Sequence, residues 1–311
     1  MLTTRRAFLT LAAGSGLMAL AGCAALSASG EESRAGTPTP TLSAGPAVTA
    51  ASVAIGSLSG GTTVRLTGSS LAEVVGVTVG ANPAASIALI DANTVSFVTP
   101  AAVDYQPANA PITLTQADGT VIDTAKQFSY QAVTSVDKQL QYAFTYWQNY
   151  NLAEWGIFSD NDCGNFVNQT LVARGWAQNT DWYSDYVSNG DYSLSWIRGT
   201  EMDDYLASRP DTTRLELADR ARLKIGDVVM FDWDPQNNNG PDHTMVVSRV
   251  VPNDDGSISI KLVGHTVDAQ YRDLDQAITV DNPGVRRTST ASPESESDPL
   301  HRCGRRCPSA A

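Results

Sequence analysis

The spacing of apolar residues changes at about residue 133, and this change limits what the chain can fold into. Before that point, short runs rich in Val, Ile and Thr alternate apolar and polar residues, as at Val64 and Leu66 in "TTVRLTGSSL". Gly, Asn, Asp and Pro separate these runs. The pattern is typical of short antiparallel strands in a β-sandwich. Beyond it the spacing is mixed, so the sequence predicts two folded parts, at 46–132 and 133–283.

The second part begins with helical patterns and ends with strand patterns. In "SVDKQLQYAFTYWQNYN", Leu140, Ala143, Phe144 and Trp147 recur at three- and four-residue steps, which places them on one helix face. "CGNFVNQTLVARG" and "GTEMDDYLASRP" predict two further helices, and Gly175 ends the first of them. Four predicted strands follow, in "GDVVMFDWD", "HTMVVSRVV", "SISIKLVGHT" and "AITVD". This order indicates an α+β fold, with helices packed on an antiparallel sheet.

The first 23 residues have the pattern of an export signal. In "TTRRAFLTLAAGSGLMALAGC" a short basic stretch precedes an apolar stretch that ends in small residues, which indicates a signal peptide over 1–23. Arg5 and Arg6 resemble a twin-arginine export signal, and "LAGC" resembles a bacterial lipobox. The lipobox resemblance implies that Cys23 is lipidated and anchors an exported protein to the outer face of a bacterial membrane. A plain signal peptide with a chance cysteine is the alternative.

Two further segments lack apolar periodicity. Residues 24–45 are rich in Ser, Gly, Thr and Pro, which predicts a flexible linker. Residues 284–311 are rich in Ser, Pro and Arg, which predicts a disordered tail. The formal net charge of −12 argues against nucleic acid as a partner, because phosphate binding needs clustered Lys and Arg.

The four cysteines differ in their surroundings. Cys23 belongs to the signal, and Cys303 and Cys307 lie in "HRCGRRCPSAA" near the end. Cys163 has no obvious partner. An unpaired cysteine in an exported chain is a candidate reactive thiol, because oxidising conditions make idle thiols a liability.

Cys163 is also placed at the start of a predicted helix. The unpaired N–H groups and the positive end of the helix dipole meet there, so we expect the pKa of the thiol to be lowered. Asp162 precedes it and can act as the N-cap. His243 opens one predicted strand and His265 closes the next, so an antiparallel hairpin would bring both imidazoles to one end.

These three residues form a candidate catalytic set. Cys163 would be the nucleophile, His243 the base that takes its proton, and His265 the group that orients the base. Asp268 is an alternative orienting group.

The structural alternative is a packed cysteine beside unrelated histidines. A Cys-His-His zinc site is a third possibility, but zinc sites usually contain a close ligand pair, and none exists among these three residues. We therefore expect no metal and no cofactor.

The aromatic residues near this set are more simply explained as core or as cleft wall. They are Trp182, Tyr183, Tyr186, Trp196 and Trp233.

Residues 46–132 resemble the TIG (IPT) family of immunoglobulin-like domains. The resemblance rests on "SGGTTVRLTGSSL", "VTVG", "NTVSFVTPAA" and "FSYQA", which occur in order. It implies an all-β immunoglobulin-like sandwich. The segment contains no His and no Cys, and its carboxylates are scattered among turns. We therefore predict a spacer or a binding module without catalytic activity.

Residues 135–280 resemble the bacterial putative amidase domain family, which is akin to the NlpC-type and CHAP cell-wall hydrolases on a papain-like scaffold. Five motifs occur in order, "DCGNFVNQTLVARGW", "SLSW", "KIGDVVMFDWD", "DHTMVVSRV" and "LVGHTVD". The resemblance implies a papain-like α+β domain with Cys163 as nucleophile, His243 as base and His265 as orienting group. The chain departs from the family at Asn168, where relatives commonly carry Ser.

The expected function is that of an exported, lipid-anchored cysteine hydrolase of amide bonds, with peptidoglycan stem peptide as its substrate. The bond cut could be a peptide bond or the sugar–peptide amide. The alternative is a catalytically inactive surface-binding lipoprotein that works through its TIG-like domain.

Overall fold

The computed structural model describes residues 45–159, 161–283 and 287–293. The predicted signal peptide, Cys23, residues 24–44 of the predicted linker and residues 294–311 lie outside the described residues. Within the described ranges, no helix is both long enough and apolar enough to cross a membrane.

Residues 46–132 form strands, with one short 3₁₀ turn at Val103–Tyr105, and the predicted all-β segment is confirmed. One sheet has the order β1-β3-β7-β6 and the other the order β2-β9-β8-β4-β5. The two sheets enclose a core of alternating apolar residues that includes Leu66, Phe97, Ile112 and Phe128, all fully buried. The strands are β1 Ala47–Ala51, β2 Ile55–Ser57, β3 Thr63–Ser69, β4 Val74–Val79, β5 Asn82–Pro83, β6 Ala85–Asp91, β7 Thr94–Val98, β8 Ala108–Gln116 and β9 Val121–Gln131.

Residues 133–293 combine helices with a second group of strands. Six of these strands form an antiparallel sheet in the order β12-β17-β13-β14-β15-β16. The helices are α1 Ser135–Tyr146, α2 Leu152–Trp155, α3 Cys163–Arg174, α4 Tyr186–Asn189, α5 Leu194–Ile197, α6 Gly199–Ser208 and α7 Leu274–Gln276. The strands are β10 Ser184–Asp185, β11 Asp191–Tyr192, β12 Thr212–Glu216, β13 Val228–Asp232, β14 His243–Pro252, β15 Ile258–Gly264, β16 Ala269–Asp273 and β17 Arg287–Pro293.

The end of the chain corrects two predictions. Residues 287–293 are not a disordered tail, because they form β17 between β12 and β13. The backbone of "RTSTASP" gains hydrogen-bonding partners on both sides, and its β-branched threonines favour an extended conformation. The run "AITVD" is not a strand either. The side chain of Asp273 caps α7, and Ala277–Asp281 continues it as a π-helical turn.

Helix α3 occupies the centre of the second part. Ten of its twelve residues are buried, so it is covered by protein on nearly every side. The sheet has two apolar faces, because alternate residues of a strand point in opposite directions. Met230, Val246 and Val263 belong to the same core cluster as Phe166 of α3. Their neighbours Phe231, Met245 and Leu262 belong to a separate core cluster.

Asp137 of α1 links the first part of the chain to the second. Its Oδ1 accepts hydrogen bonds from Ser57 Oγ at 2.7 Å, Ser59 N at 2.8 Å and Ser59 Oγ at 2.7 Å. Its Oδ2 accepts from the backbone of Val133 and Thr134, each at 3.0 Å. Burial alone would raise the pKa of Asp137, but these donors hold it below its ordinary value. The carboxylate therefore joins β2 to the start of α1 as a charged acceptor.

We expect Asp137→Asn to lower the free energy of unfolding by about 2–3 kcal/mol, because an amide nitrogen would face donors where a charged oxygen accepted them. The measurement is urea unfolding of wild type, Asp137→Asn and Asp118→Asn, in which the control removes an exposed carboxylate in a turn. A folded-state pKa below the unfolded value of about 3.9 makes this stabilisation complete above that value and lost as the pH falls through the folded pKa. The deficit of Asp137→Asn should therefore shrink in acid. Equal stability of the two variants at neutral pH would contradict the assignment.

Candidate active site

Cys163 is the first residue of α3, and its thiol is enclosed by three chain segments. The side chain is 4% exposed. Its Sγ donates to Asn161 Oδ1 at 3.2 Å. The backbone of Thr244 and the side chain of Thr266 lie beside the sulfur and favour its charged form. Each of these threonines directly follows one of the two histidines, so the thiol lies at the end of the β14–β15 hairpin.

The protonation of this thiol differs from the prediction. Burial raises the pKa of Cys163 above its ordinary value, although hydrogen bonds from the backbone of Thr244 and Gly164 and from Thr266 oppose the shift. The helix start was expected to lower the pKa. Desolvation outweighs it here, because a charged sulfur would be almost fully removed from water. The thiol is therefore neutral at pH 7.

Asp162 occupies the N-cap position of α3, but its side chain makes no capping hydrogen bond. Its Oδ1 instead accepts from the backbone N–H of Phe158 and from Asn165 Nδ2, each at 2.9 Å. Its Oδ2 lies 2.6 Å from Nδ1 of His265. The carboxylate therefore joins the loop before α3 to the turn after β15, and this holds Cys163 in place.

His265 lies one residue beyond β15 and is 1% exposed. Its Nε2 is 2.9 Å from the carbonyl oxygen of Tyr146. A carbonyl only accepts, so Nε2 carries a proton, and a second proton lies between Nδ1 and Asp162. The ring is stacked between Tyr150, with ring centroids 3.8 Å apart, and Phe166, at 4.0 Å.

This placement corrects the predicted role of His265, since neither of its ring nitrogens is free to orient His243. The reason is strand register. Val246 pairs with Val263, so Thr244 is level with His265, and His243 is one residue further along. A one-residue offset directs side chains to opposite faces of a hairpin. Because both ring nitrogens of His265 already have hydrogen-bond partners, neither is free to bind a zinc ion.

His243 is the first residue of β14 and is 6% exposed. Its ring centroid lies 5.8 Å from that of Phe231 and 6.0 Å from that of Trp233. Its Nε2 is buried and makes no hydrogen bond to any residue that the structure describes. Burial, with a smaller effect from the charge of Arg272, lowers the pKa of His243 to about 4. Its imidazole is therefore neutral at pH 7.

A cleft connects His243 with the surroundings of the thiol. Its volume is about 550 Å³, and its walls include Asn161 and Thr266, which contact Cys163 Sγ, together with His243, Trp233 and Arg272. Asn161 also lines a second cleft of about 280 Å³, whose walls are largely apolar and aromatic. These are Ile157, Phe158, Tyr186 and Ile197. The two clefts meet at Asn161, whose side-chain oxygen accepts the hydrogen bond from the thiol.

The alternative orienting group, Asp268, is exposed. It accepts a hydrogen bond from the hydroxyl of Tyr150 at 2.7 Å, and Tyr150 stacks on His265. Among the described contacts, none joins Asp268 to His243. Asp268 therefore supports the ring sandwich around His265.

The aromatic residues divide between core and cleft, as predicted. Trp182 and Trp196 are fully buried, whereas Tyr186 and Trp233 line the clefts beside Cys163. Tyr183 lines a separate pocket.

Asn168, where the family resemblance implies Ser, is a buried structural residue. Its Nδ2 donates to the carbonyl oxygens of Ser195 and Trp196 at 3.2 and 2.8 Å, and its Oδ1 accepts from Trp182 Nε1 at 2.8 Å. One turn earlier, Asn165 Oδ1 accepts from Trp196 Nε1 at 2.8 Å. These bonds fasten α3 to α5.

Several site residues were not found from the sequence. The contacts of Asn161, Thr244 and Thr266 with the thiol depend on loop conformation, and Thr266 adopts a φ of +76°, which β-branched residues rarely do. The Asp162–His265 pair joins residues that are 103 positions apart. The adjacency of Asp162 to Cys163 was the one available signal for this pair.

The comparisons with known proteins identify the domain that carries Cys163, His243 and His265. Residues 133–286 match the family described as "Putative amidase domain", and residues 46–130 match the IPT/TIG domain. The chain therefore carries both domains in the predicted order, and the amidase match supports a hydrolase. No curated protein matches the chain.

Several solved structures are similar to a small part of this chain. The extracellular region of plexin A4 is 22% identical over 28% of this chain and 7% of that one, with a TM-score of 0.25. SGBP-B of the Bacteroides ovatus mixed-linkage glucan utilization locus, in complex with a mixed-linkage heptasaccharide, is 25% identical over 26% of this chain and 20% of that one, with a TM-score of 0.22. An auxiliary nutrient binding protein from Bacteroides thetaiotaomicron is 18% identical over 28% and 21%, with a TM-score of 0.22.

The two histidines should differ in their effect on stability. We expect His265→Ala to lower the free energy of unfolding by about 3–5 kcal/mol, because it leaves the buried carboxylate of Asp162 unpaired. His243→Ala should cost much less, since its Nε2 has no partner to lose. Chemical denaturation of both variants is the measurement. If His243→Ala were the more damaging of the two, the structural role given to His265 would be wrong.

Proposed function

We propose that this protein is a cysteine hydrolase of amide bonds on a papain-like scaffold. The observation that carries the proposal is Cys163, whose thiol begins α3 and contacts two wall residues of the cleft that contains His243. The match of residues 133–286 to an amidase domain supports the same class.

In the proposed reaction, the Cys163 sulfur attacks the carbonyl carbon of the amide while its proton passes to His243. His243 lines the same cleft as Asn161 and Thr266, which lie beside the sulfur. The new C–S bond leaves an oxyanion, which the backbone N–H of Cys163 at the helix start stabilises. The C–N bond then breaks, and the amine leaves with the proton held by His243.

Water completes the cycle. It attacks the thioester and gives a proton to His243. The C–S bond then breaks to release the acid, and His243 returns its proton to the sulfur to restore the thiol. Because the resting thiol is neutral, proton transfer accompanies the attack and does not precede it. His265 acts as a positioning residue, because it holds Asp162 and thereby the start of α3.

The favoured substrate is the stem peptide of peptidoglycan. The clefts on the two sides of the thiol differ in character, since one has aromatic walls and the other contains Arg272 and acidic residues. A peptide with charged groups could lie across both. The export pattern in residues 1–23 supports a substrate outside the membrane. Cleavage of a peptide bond and cleavage of the sugar–peptide amide both fit this chemistry.

A second candidate is an inactive surface-binding lipoprotein that works through residues 46–130. The specific observations in its favour are the 4% exposure of Cys163 and the raised pKa of its thiol. In this case His243 and Cys163 would be packed residues, and the TIG-like domain would carry the activity.

We expect Cys163→Ala to abolish release of peptidoglycan fragments while the melting temperature stays close to that of wild type, because the thiol makes few strong contacts. Mass spectrometry of the fragments is the measurement, and it also identifies the bond that is cut. Asp254→Asn, an exposed change in the β14–β15 turn, is the matched control. Fragment release by Cys163→Ala at the wild-type rate would refute the nucleophile.

If neither wild type nor Cys163→Ala releases fragments, alkylation separates the two candidates. Iodoacetamide modification of Cys163, followed by peptide mass spectrometry, should slow when a peptidoglycan stem peptide is added to an enzyme, because the bound peptide covers the thiol. In a binding protein that works through residues 46–130, the peptide should leave the alkylation rate of Cys163 unchanged.

For localisation, we propose that Cys23 carries a lipid anchor and that the mature protein lies on the extracellular face of the membrane. The motive is the "LAGC" run after a short apolar stretch. We expect a labelled fatty acid to be incorporated into wild type and not into Cys23→Ser, which should be found in the unprocessed or soluble fraction. Equal labelling of both forms would rule out the anchor.

A further inference from the structure

Three carboxylates converge at the loop between β13 and β14. Asp232 ends β13, Asp234 lies two residues further, and Asp242 immediately precedes β14. One carboxylate oxygen from each can be chosen so that all three lie within 4.8 Å of one another. This cluster is separate from the thiol and takes no part in the reaction proposed above.

The charges of the cluster are not compensated by the side chains that the structure describes. Asp232 is 7% exposed, and its Oδ1 is buried and accepts no hydrogen bond from them. The Oδ1 of Asp234 is also buried and accepts no hydrogen bond from the described residues. None of the described ion pairs includes Asp232, Asp234 or Asp242. Burying an unpaired carboxylate is costly, so such a site calls for a positive charge.

A described cation in the neighbouring cleft is already engaged. Arg272 lines the same cleft as Asp242, but its guanidinium pairs with Asp281 at 3.0 Å. The unpartnered oxygens of Asp232 and Asp234 therefore have no counter-charge among the described ion pairs.

We propose that Asp232, Asp234 and Asp242 bind a divalent cation of the Ca²⁺ class. Carboxylate oxygens are hard ligands, and Ca²⁺ binds them at about 2.3–2.6 Å, so ligands on one ion lie up to about 5 Å apart. The 4.8 Å limit of this cluster fits that geometry. The set contains no thiolate or imidazole, which Zn²⁺ prefers. An irregular loop suits the flexible coordination of Ca²⁺ better than the strict octahedron of Mg²⁺.

The loop that carries these ligands is fixed at both ends. Asp242 Oδ2 accepts from the backbone N–H of Trp233 at 2.8 Å, which closes the loop across its base. At its far end Thr200 of α6 donates to the carbonyl of Asn239. The ligands are therefore held together before a cation arrives.

The test uses Tb³⁺, which replaces Ca²⁺ and emits when a nearby tryptophan transfers energy to it. Trp233 lies between two of the ligands in sequence, so excitation of tryptophan should give saturable Tb³⁺ emission that Ca²⁺ abolishes by competition. Ca²⁺ at saturation should also raise the melting temperature by about 4 °C or more. Asp234→Asn should weaken Ca²⁺ binding at least tenfold and remove the thermal shift. Asp254→Asn, an exposed carboxylate outside the cluster, should behave as wild type.

Trp233→Phe should reduce Tb³⁺ emission while leaving the calorimetric affinity for Ca²⁺ unchanged, which would place the ion at this loop. Wild type without saturable binding at millimolar Ca²⁺, or Asp234→Asn with wild-type affinity, would overturn the proposal. These readouts are binding and stability, so they do not depend on the proposed hydrolase activity.

Discussion

The buried pair of Asp162 and His265 is the contact on which the candidate site depends. The carboxylate holds the loop at Phe158 and the first turn of α3 through one oxygen, and the end of β15 through the other. The imidazole in turn holds the carbonyl at the end of α1. Four separate pieces of backbone are thus fastened around two side chains, and Cys163 is the residue next to them. A buried charge pair adds little net stability, but once formed it allows few alternative arrangements.

Burial explains why the pKa of the thiol is raised. Helix α3 is covered on nearly all sides, so its start is enclosed as well. The N–H groups and dipole of a helix start favour a thiolate, and the hydrogen bonds to the sulfur do the same. Enclosure removes the water that would solvate the negative sulfur, and the nearby carboxylate of Asp162 adds repulsion. A helix start lowers the pKa of a cysteine thiol most where water can also solvate the thiolate. Burial keeps water away from the sulfur of Cys163.

Much of the fold could be predicted from local patterns. The alternation at Val64 and Leu66 and the helical spacing of Leu140, Ala143 and Phe144 each reflect one buried face, so period alone identifies them. β17 escaped prediction because its small polar residues carry no apolar signal and its strand is specified by the two neighbours that pair with it. The prediction for "AITVD" was wrong for the opposite reason. Its β-branched residues favour a strand, but the cap by Asp273 starts a helix that continues through this segment.

The site was predictable only in its position along the hairpin. The turn length fixed that His243 and the residues after β15 share one end of the β14–β15 pair. The face on which each imidazole lies depends on a single-residue register, and no pattern in "GHTVD" records it. The partners of His265 come from α1 and from the residue before α3, which are distant in sequence. Pair formation over such distances follows from the tertiary packing and cannot be derived from spacing.

The two matched domains also share structural support, which bears on how the site is held. The hydroxyl of Tyr105, in the turn after β7, donates to the carbonyl of Ser248 in β14. Its ring packs 4.9 Å from that of Phe144 in α1, and Phe144 lies 5.2 Å from Tyr271 in β16. Tyr271 donates in turn to Asp104 at 3.1 Å. The TIG-like part therefore contacts α1, β14 and β16, which are the elements that border His243 and His265. A segment with no catalytic side chains can still determine the geometry of the site, because it sets the positions of the strands that carry it.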